Sequence, residues 1–294
     1  MTALNSRHLA WPLHLVYVLI TLLVVACAQS IPTGSDRLVH AQDIAQVGKM
    51  QMQRISTNDF DVLAFVRQGA PQKSDSQSIL TVYLEGDGHA WANRFTKSDD
   101  PTPLEPVALS LATQDPSANV AYLARPCQFV INTHYDRGCN SEFWTSRRYS
   151  AKMIEASNQA LDQLKNRYHA TQLVLIGYSG GGAIALLVAA QRKDVAKIIT
   201  VAGNLDTVAW TNIQQLDPLK DSLNPADSAI ALEAIPQVHF VGAQDSVMPK
   251  AVADSYYNRL PKDQASNVAI ITQPYSHVCC WAQDWPSILK SITH

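Results

Sequence analysis

At 294 residues, 47% of them apolar, the chain is long enough to bury one sizeable core, and doubly wound α/β folds of this length commonly form a single domain. Its 23 Lys and Arg against 25 Asp and Glu leave a formal charge of -2, which offers no basic field for a phosphate backbone and excludes nucleic acid as the expected partner. With 16% charged residues, and Gly and Pro punctuating its apolar segments, the composition is neither that of a disordered chain nor that of a multi-span membrane protein.

The first element is an address. Arg7 and His8 precede an apolar run from Leu13 to Ala26, shorter than the ~20 residues that a spanning helix requires, as in the core of a signal peptide. The run ends in Val24-Val25-Ala26-Cys27, which resembles the bacterial lipobox. That resemblance implies removal of residues 1–26, acylation of Cys27, and a protein held in the bacterial cell envelope by a lipid anchor, facing the periplasm or the exterior. An ordinary cleaved signal and an uncleaved anchor are the alternatives. Residues 27–50 are polar and without strong periodicity, so a flexible tether with no core is expected there.

From Gln51 the pattern turns to period two. Met52, Arg54 and Ser56 alternate with Gln53 and Ile55, and after Asn58-Asp59 a second run covers Phe60 to Val66, so the folded domain, 51–294, opens on an antiparallel hairpin. A polar loop, Pro71 to Ser78, leads to Ile79–Leu84, a continuous β-rich run suited to a strand buried on both faces. Helix and strand then alternate: a helix near Leu104 to Ala112, a strand at Val120 to Ala124 and an amphipathic segment from Arg148 to Arg167. Next come a strand at Leu173 to Ile176, a small-residue helix at Ala183 to Gln191 and strands at Ile198–Val201, Val238–Val241 and Val268–Thr272, with a closing helix from Gln283 to Ile292. Such alternation predicts parallel pairing. Residues 203–236, with Pro218 and Pro225, suffice for a small cap.

Removing Cys27 from the five cysteines leaves Cys127, Cys139, Cys279 and Cys280, an even number suited to an oxidising compartment. Four cysteines allow three connectivities. Cys127 with Cys139 is expected, since it closes a short polar loop and constrains the unfolded chain by about 3 kcal/mol. Cys279 and Cys280 then bridge each other or stay thiols. The spacing matches no zinc pattern, so no metal is expected.

Gly177-Tyr178-Ser179-Gly180-Gly181 fits G-x-S-x-G, and it lies between a buried strand and a helix, the context that gives the motif meaning. A tight strand-to-helix turn would expose Ser179 and aim the Gly180 N–H at a developing oxyanion. A serine hydroxyl needs a base and an orienting carboxylate. Asp245 follows one late strand and His277 follows the next, in the chain order Ser, acid, His. Asp206 is the rival acid; His239 sits mid-strand and reads as core; His89 and His134 precede the serine. The second oxyanion donor is expected from Glu85-Gly86-Asp87-Gly88-His89, at Asp87 N–H or alternatively Gly88 N–H. Glu85 and Asp87 are acidic where a negative charge is to be stabilised, so their side chains must point away.

These residues, in this order and context, resemble the α/β-hydrolase superfamily from about Arg54 to His294. Tyr83-Leu84-Glu85-Gly86-Asp87-Gly88, Ala124-Arg125-Pro126-Cys127, Trp144-Thr145 and His277-Val278-Cys279-Cys280-Trp281 look like those of bacterial exported α/β-hydrolase-like proteins. The resemblance implies an α/β-hydrolase fold: a mostly parallel central sheet, an antiparallel opening hairpin and helices on both faces. It also implies a serine hydrolase, carboxylesterase-like and without cofactor, acting as a monomer on a small-molecule acyl substrate. A peptidase, thioesterase or acyltransferase would use the same triad, and an inactive envelope binding protein would keep only the fold. Trp91, Tyr178 and Trp281, with Trp144, flank the expected site loops and are candidates for an apolar acyl pocket. Arg125, Arg147 and Arg148 could meet an anionic substrate or form surface ion pairs.

Overall fold

A computed structural model describes residues 31–67, 78–261 and 265–292. The expected signal segment, Cys27 and the loop at 71–77 lie outside the described residues.

Eight strands form one sheet: β1 Gln51–Ser56, β2 Asp61–Arg67, β3 Ile79–Leu84, β4 Val120–Leu123, β5 Gln172–Tyr178, β6 Val195–Val201, β7 Gln237–Gly242 and β8 Val268–Gln273. Their spatial order is β1-β2-β4-β3-β5-β6-β7-β8. The β1–β2 hairpin and the β2–β4 pair are antiparallel, and every pair from β4 to β8 is parallel. Parallel neighbours need a crossover, and five helices supply it: α2 Val107–Thr113, α3 Ala151–Arg167, α4 Gly180–Ala189, α5 Thr207–Gln214 and α6 Lys250–Tyr257; α7, Trp281–Ile292, follows the last strand.

The period-two alternation of the strands divides the core into two layers. Val62, Ala64, Val66, Leu80, Val82, Leu173 and Leu175 face α3, α4 and α6; Leu63, Phe65, Tyr83, Tyr122, Ile176 and Phe240 face α2 and α7. Helix α4 is buried along its whole length, which is why its sequence, GGGAIALLVA, carries no polar face. Pro286 lies inside α7 and has no N–H for the carbonyl of Ala282; that carbonyl instead accepts from Gln114 Nε2 at 2.6 Å.

One expectation fails. Residues 34–47, read as part of a tether, form helix α1, Gly34–Val47, and bury Arg37, Ala41 and Ala45 at i, i+4, i+8 spacing in the layer with α2. Its contact face consists of alanines and an arginine stem rather than large aliphatics, so the helical period is nearly invisible in hydrophobicity. The Arg37 guanidinium donates to the carbonyls of Thr102 at 2.7 Å and Asp100 at 3.3 Å, which compensates its burial.

Cys127 and Cys139 are bonded, with Cα atoms 5.6 Å apart, and Cys279 is bonded to Cys280. Among the described residues no helix is long and apolar enough to cross a membrane, and no cluster of His, Cys, Asp and Glu could hold a metal ion.

Candidate active site

Strand β5 ends at Tyr178 and α4 begins at Gly180, so Ser179 occupies the whole turn between them, at φ 50° and ψ -120°. A non-glycine residue there is strained, and the packing around it holds the strain. Gly177 and Gly181 allow it: a Cβ on Gly177 would overlap the backbone of Gly181, and one on Gly181 would overlap the Leu84 carbonyl.

Parallel strands deliver the other two residues to the same edge. His277 follows β8, and its Nε2 lies 3.0 Å from Ser179 Oγ; Asp245 follows β7, and its Oδ2 lies 2.8 Å from His277 Nδ1. Asp245 is buried, and its Oδ1 accepts from the N–H groups of Val247 at 2.9 Å and Met248 at 2.7 Å, so the carboxylate cannot turn away. A proton on Nδ1, donated to Asp245, leaves Nε2 free to accept from the serine hydroxyl. The rival acid, Asp206, caps α5 by accepting from Val208 and Ala209 N–H. His239 is fully buried, between Thr200 Oγ1 at 2.9 Å and Gln237 Oε1 at 3.2 Å, and burial pushes its pKa down to about 3. His134 stacks on Tyr135, outside the cleft; His89 lines the cleft.

The segment after β3 crosses directly over the serine, with the Cα of Gly86 against the Ser179 side chain. Among the described residues the N–H groups of Asp87 and Gly88 have no hydrogen-bond partner, and Gly180, the first residue of α4, has no intrahelical partner for its own. The Asp87 side chain is tied into a cluster of guanidinium and hydroxyl donors. Its carboxylate accepts from Arg148 Nη1 at 2.7 Å, Arg125 Nη1 at 2.9 Å and the Tyr149 hydroxyl at 3.0 Å. Burial alone would raise its pKa, but Arg148 and Arg125 outweigh burial and hold the carboxyl below its ordinary range. The carboxylate also packs on Gly180, where a Cβ would overlap it. Two arginines against one carboxylate leave this cluster cationic.

Glu85 is buried on the other side. Its Oε1 accepts from Gly86 N–H at 2.8 Å, and its carboxyl faces the N–H groups of Ala108 and Leu109 and the Tyr122 hydroxyl. Burial pushes its pKa up to about 7, so it is neutral at mildly acidic pH and adds no full negative charge there.

Ser179, His277 and the 85–88 segment open into a cleft of about 790 Å³. Trp210, Leu216, Leu219, Val247, Met248 and Val278 supply apolar wall, several of them from the 203–236 segment and the loop after Asp245. Trp91 and Tyr178 lie on this wall, but Trp281 does not: it is fully buried at the start of α7. A tryptophan beginning an amphipathic helix goes to the core, and its Nε1 donates to the carbonyls of Ser276 at 3.0 Å and His277 at 3.1 Å, so it braces the histidine loop instead of touching substrate. Trp144 is likewise buried, donating to Ser98 O at 3.0 Å. Arg125 and Arg148 are spent on Asp87, while Arg147 pairs at the surface with Glu142 and Asp221. Tyr149 and the clamp on Asp87 had no signature in the sequence, because their partners lie up to 62 residues away.

Fold and site together define a protein of the α/β-hydrolase fold in which Ser179, His277 and Asp245 stand in line at the turn between β5 and α4. No protein-family model matches the chain. Among solved structures it is similar to an esterase of Pyrococcus furiosus, at 13% identity and a TM-score of 0.56, over 84% of this chain and 91% of that one. It is similar to a puromycin-hydrolysing peptidase of Mycobacterium tuberculosis, at 16% identity and a TM-score of 0.57, over 82% of this chain and 38% of that one. An α/β serine hydrolase homologue from Coxiella burnetii matches at 13% identity and a TM-score of 0.53, over 82% of this chain and 94% of that one.

Proposed function

We propose that the protein is a serine hydrolase that cleaves acyl esters through an acyl-enzyme. The observation that carries this reading is the unbroken relay from Ser179 Oγ to His277 Nε2 at 3.0 Å and from His277 Nδ1 to Asp245 Oδ2 at 2.8 Å. Ser179 Oγ attacks the ester carbonyl carbon as its proton passes to His277 Nε2, and Asp245 holds the imidazolium that forms. The carbonyl oxygen becomes an oxyanion facing the N–H groups of Gly180 and Asp87, with the cationic cluster of Arg125 and Arg148 behind them. Collapse expels the alcohol, which takes the proton from His277; water then repeats the sequence on the acyl-enzyme and releases the acid.

The apolar wall suits an acyl chain. Full-length protein is expected to hydrolyse a p-nitrophenyl ester series, with an optimum set by the cleft, and Ser179→Ala to lose at least about 10³-fold in rate. Equal rates for the two proteins would leave the fold without this chemistry.

A further inference from the structure

Between Trp91 and Lys97 the chain folds into a small hairpin at the cleft mouth. Trp91 pairs with Lys97, Ala92 N–H donates to Thr96 O at 2.9 Å, and Asn93 Oδ1 accepts from the N–H groups of Phe95 and Thr96. This geometry fixes Phe95 at the tip, 87% exposed, with Trp91 at the base of the hairpin, 40% exposed. Single exposed apolar residues are ordinary, but here Leu104 and Val278, both exposed, continue the apolar surface into the cleft. The hairpin also carries Arg94 and Lys97 and no acidic residue, and neither cation makes an ion pair among the described residues. Glu105, on the same rim, is engaged by His40 at 3.1 Å. An exposed aromatic ring flanked by two cations that make no ion pair, with a second exposed ring nearby, is the composition that enters the headgroup region of an anionic bilayer.

The path of the chain points the same way. Helix α1 begins at Gly34, which lies against Asp100, and Arg37 binds the carbonyls of Asp100 and Thr102, immediately before the cleft residues Pro103 and Leu104. Because residues 34–47 are helix and not tether, only six residues lie between Cys27 and Gly34, a reach of at most about 25 Å over seven Cα–Cα steps. An anchor at Cys27 would therefore keep the mouth of the cleft close to the membrane.

We propose that the 91–97 hairpin docks on the surface of an anionic phospholipid bilayer, and that the ester cleaved at Ser179 belongs to a lipid drawn from that bilayer. The second half rests on the hydrolase reading; the first does not. Docking is read without catalysis: full-length Phe95→Trp in a Ser179→Ala background is mixed with phosphatidylglycerol vesicles whose acyl chains carry bromine, a quencher of indole emission. At least half of the emission contributed by the introduced indole is expected to be lost, relative to Ser179→Ala alone. No quenching beyond that of Ser179→Ala overturns docking, and equal quenching by phosphatidylcholine overturns the role of charge. A dimer of the parent protein that Phe95→Asp dissolves, with the introduced indole unquenched, would give the face to a second copy and overturn the proposal. For the substrate, Phe95→Asp is expected to slow release of fatty acid from phosphatidylglycerol vesicles at least tenfold while leaving p-nitrophenyl butyrate hydrolysis within twofold. Equal loss on both, or none on vesicles, overturns the lipid assignment. Hydrolysis of neither by the parent protein sinks the hydrolase reading, and the quenching still decides the docking.

Discussion

The turn at Ser179 and the Asp87 cluster meet at Gly180, and they are built from different materials. At the turn, support comes from backbone shape: a strained Ser179, glycines where nothing larger fits, and a wholly apolar helix behind. At the cluster, it comes from charge: one carboxylate gathered by two buried arginines and a tyrosine from segments far apart in the chain. The first kind of support is local and reads directly from five consecutive residues. The second exists only when the fold closes, and each of its members is costly to bury alone. Geometry therefore places Ser179, while buried charge fixes the 85–88 loop beside it.

Changes on the two sides should separate these roles, beginning with the largest effect. Asp245→Asn keeps the shape of the relay but favours the wrong histidine tautomer, and kcat on a p-nitrophenyl ester should fall by on the order of 10⁴-fold with little change in melting temperature. A small loss would remove Asp245 from the relay. Asp87→Ala should act chiefly on stability, since it leaves Arg125 and Arg148 buried without their partner; a loss of about 3–5 kcal/mol in urea unfolding is expected. An unchanged midpoint would mean that the cluster contributes no fold stability.

Glu85 sharpens the contrast through pH. Its folded pKa, about 7, lies above the 4.5 of an ordinary glutamate, so the native state binds its proton more tightly than the unfolded chain does. The contribution is fully present below about pH 4.5 and is lost as pH rises to about 7, a decline of about 3 kcal/mol. Glu85→Gln should remove that decline, seen as a flatter stability profile between pH 5 and 8 than the parent shows. The smallest effect is expected for Arg147→Ala: its pairs with Glu142 and Asp221 are solvent-exposed, and the change should cost no more than about 0.5 kcal/mol. A larger cost would mean that surface charge braces the Asp87 region.

Much of this arrangement was legible beforehand, for identifiable reasons. The strand runs were visible because a parallel sheet covered on both faces demands continuous apolar segments, and the order of Ser179, Asp245 and His277 followed from where such strands end. Helix α1 escaped because alanines make its contact. Trp281 was misplaced because its position in the sequence, four residues after His277, suggested the cleft, whereas its side chain turns inward and braces that histidine through its indole N–H.

The sequence by itself determined the alternation of strands and helices, the nucleophile turn and the chain order of the serine, acid and histidine, since each is written in short-range periodicity or in glycine placement. Only the tertiary structure decided which charges are buried together, where the acidic side chains beside the serine point, and which tryptophans face the cleft. Those outcomes depend on contacts between residues tens of positions apart, and the free energy of burying a charge is set by its partners and not by its neighbours in sequence.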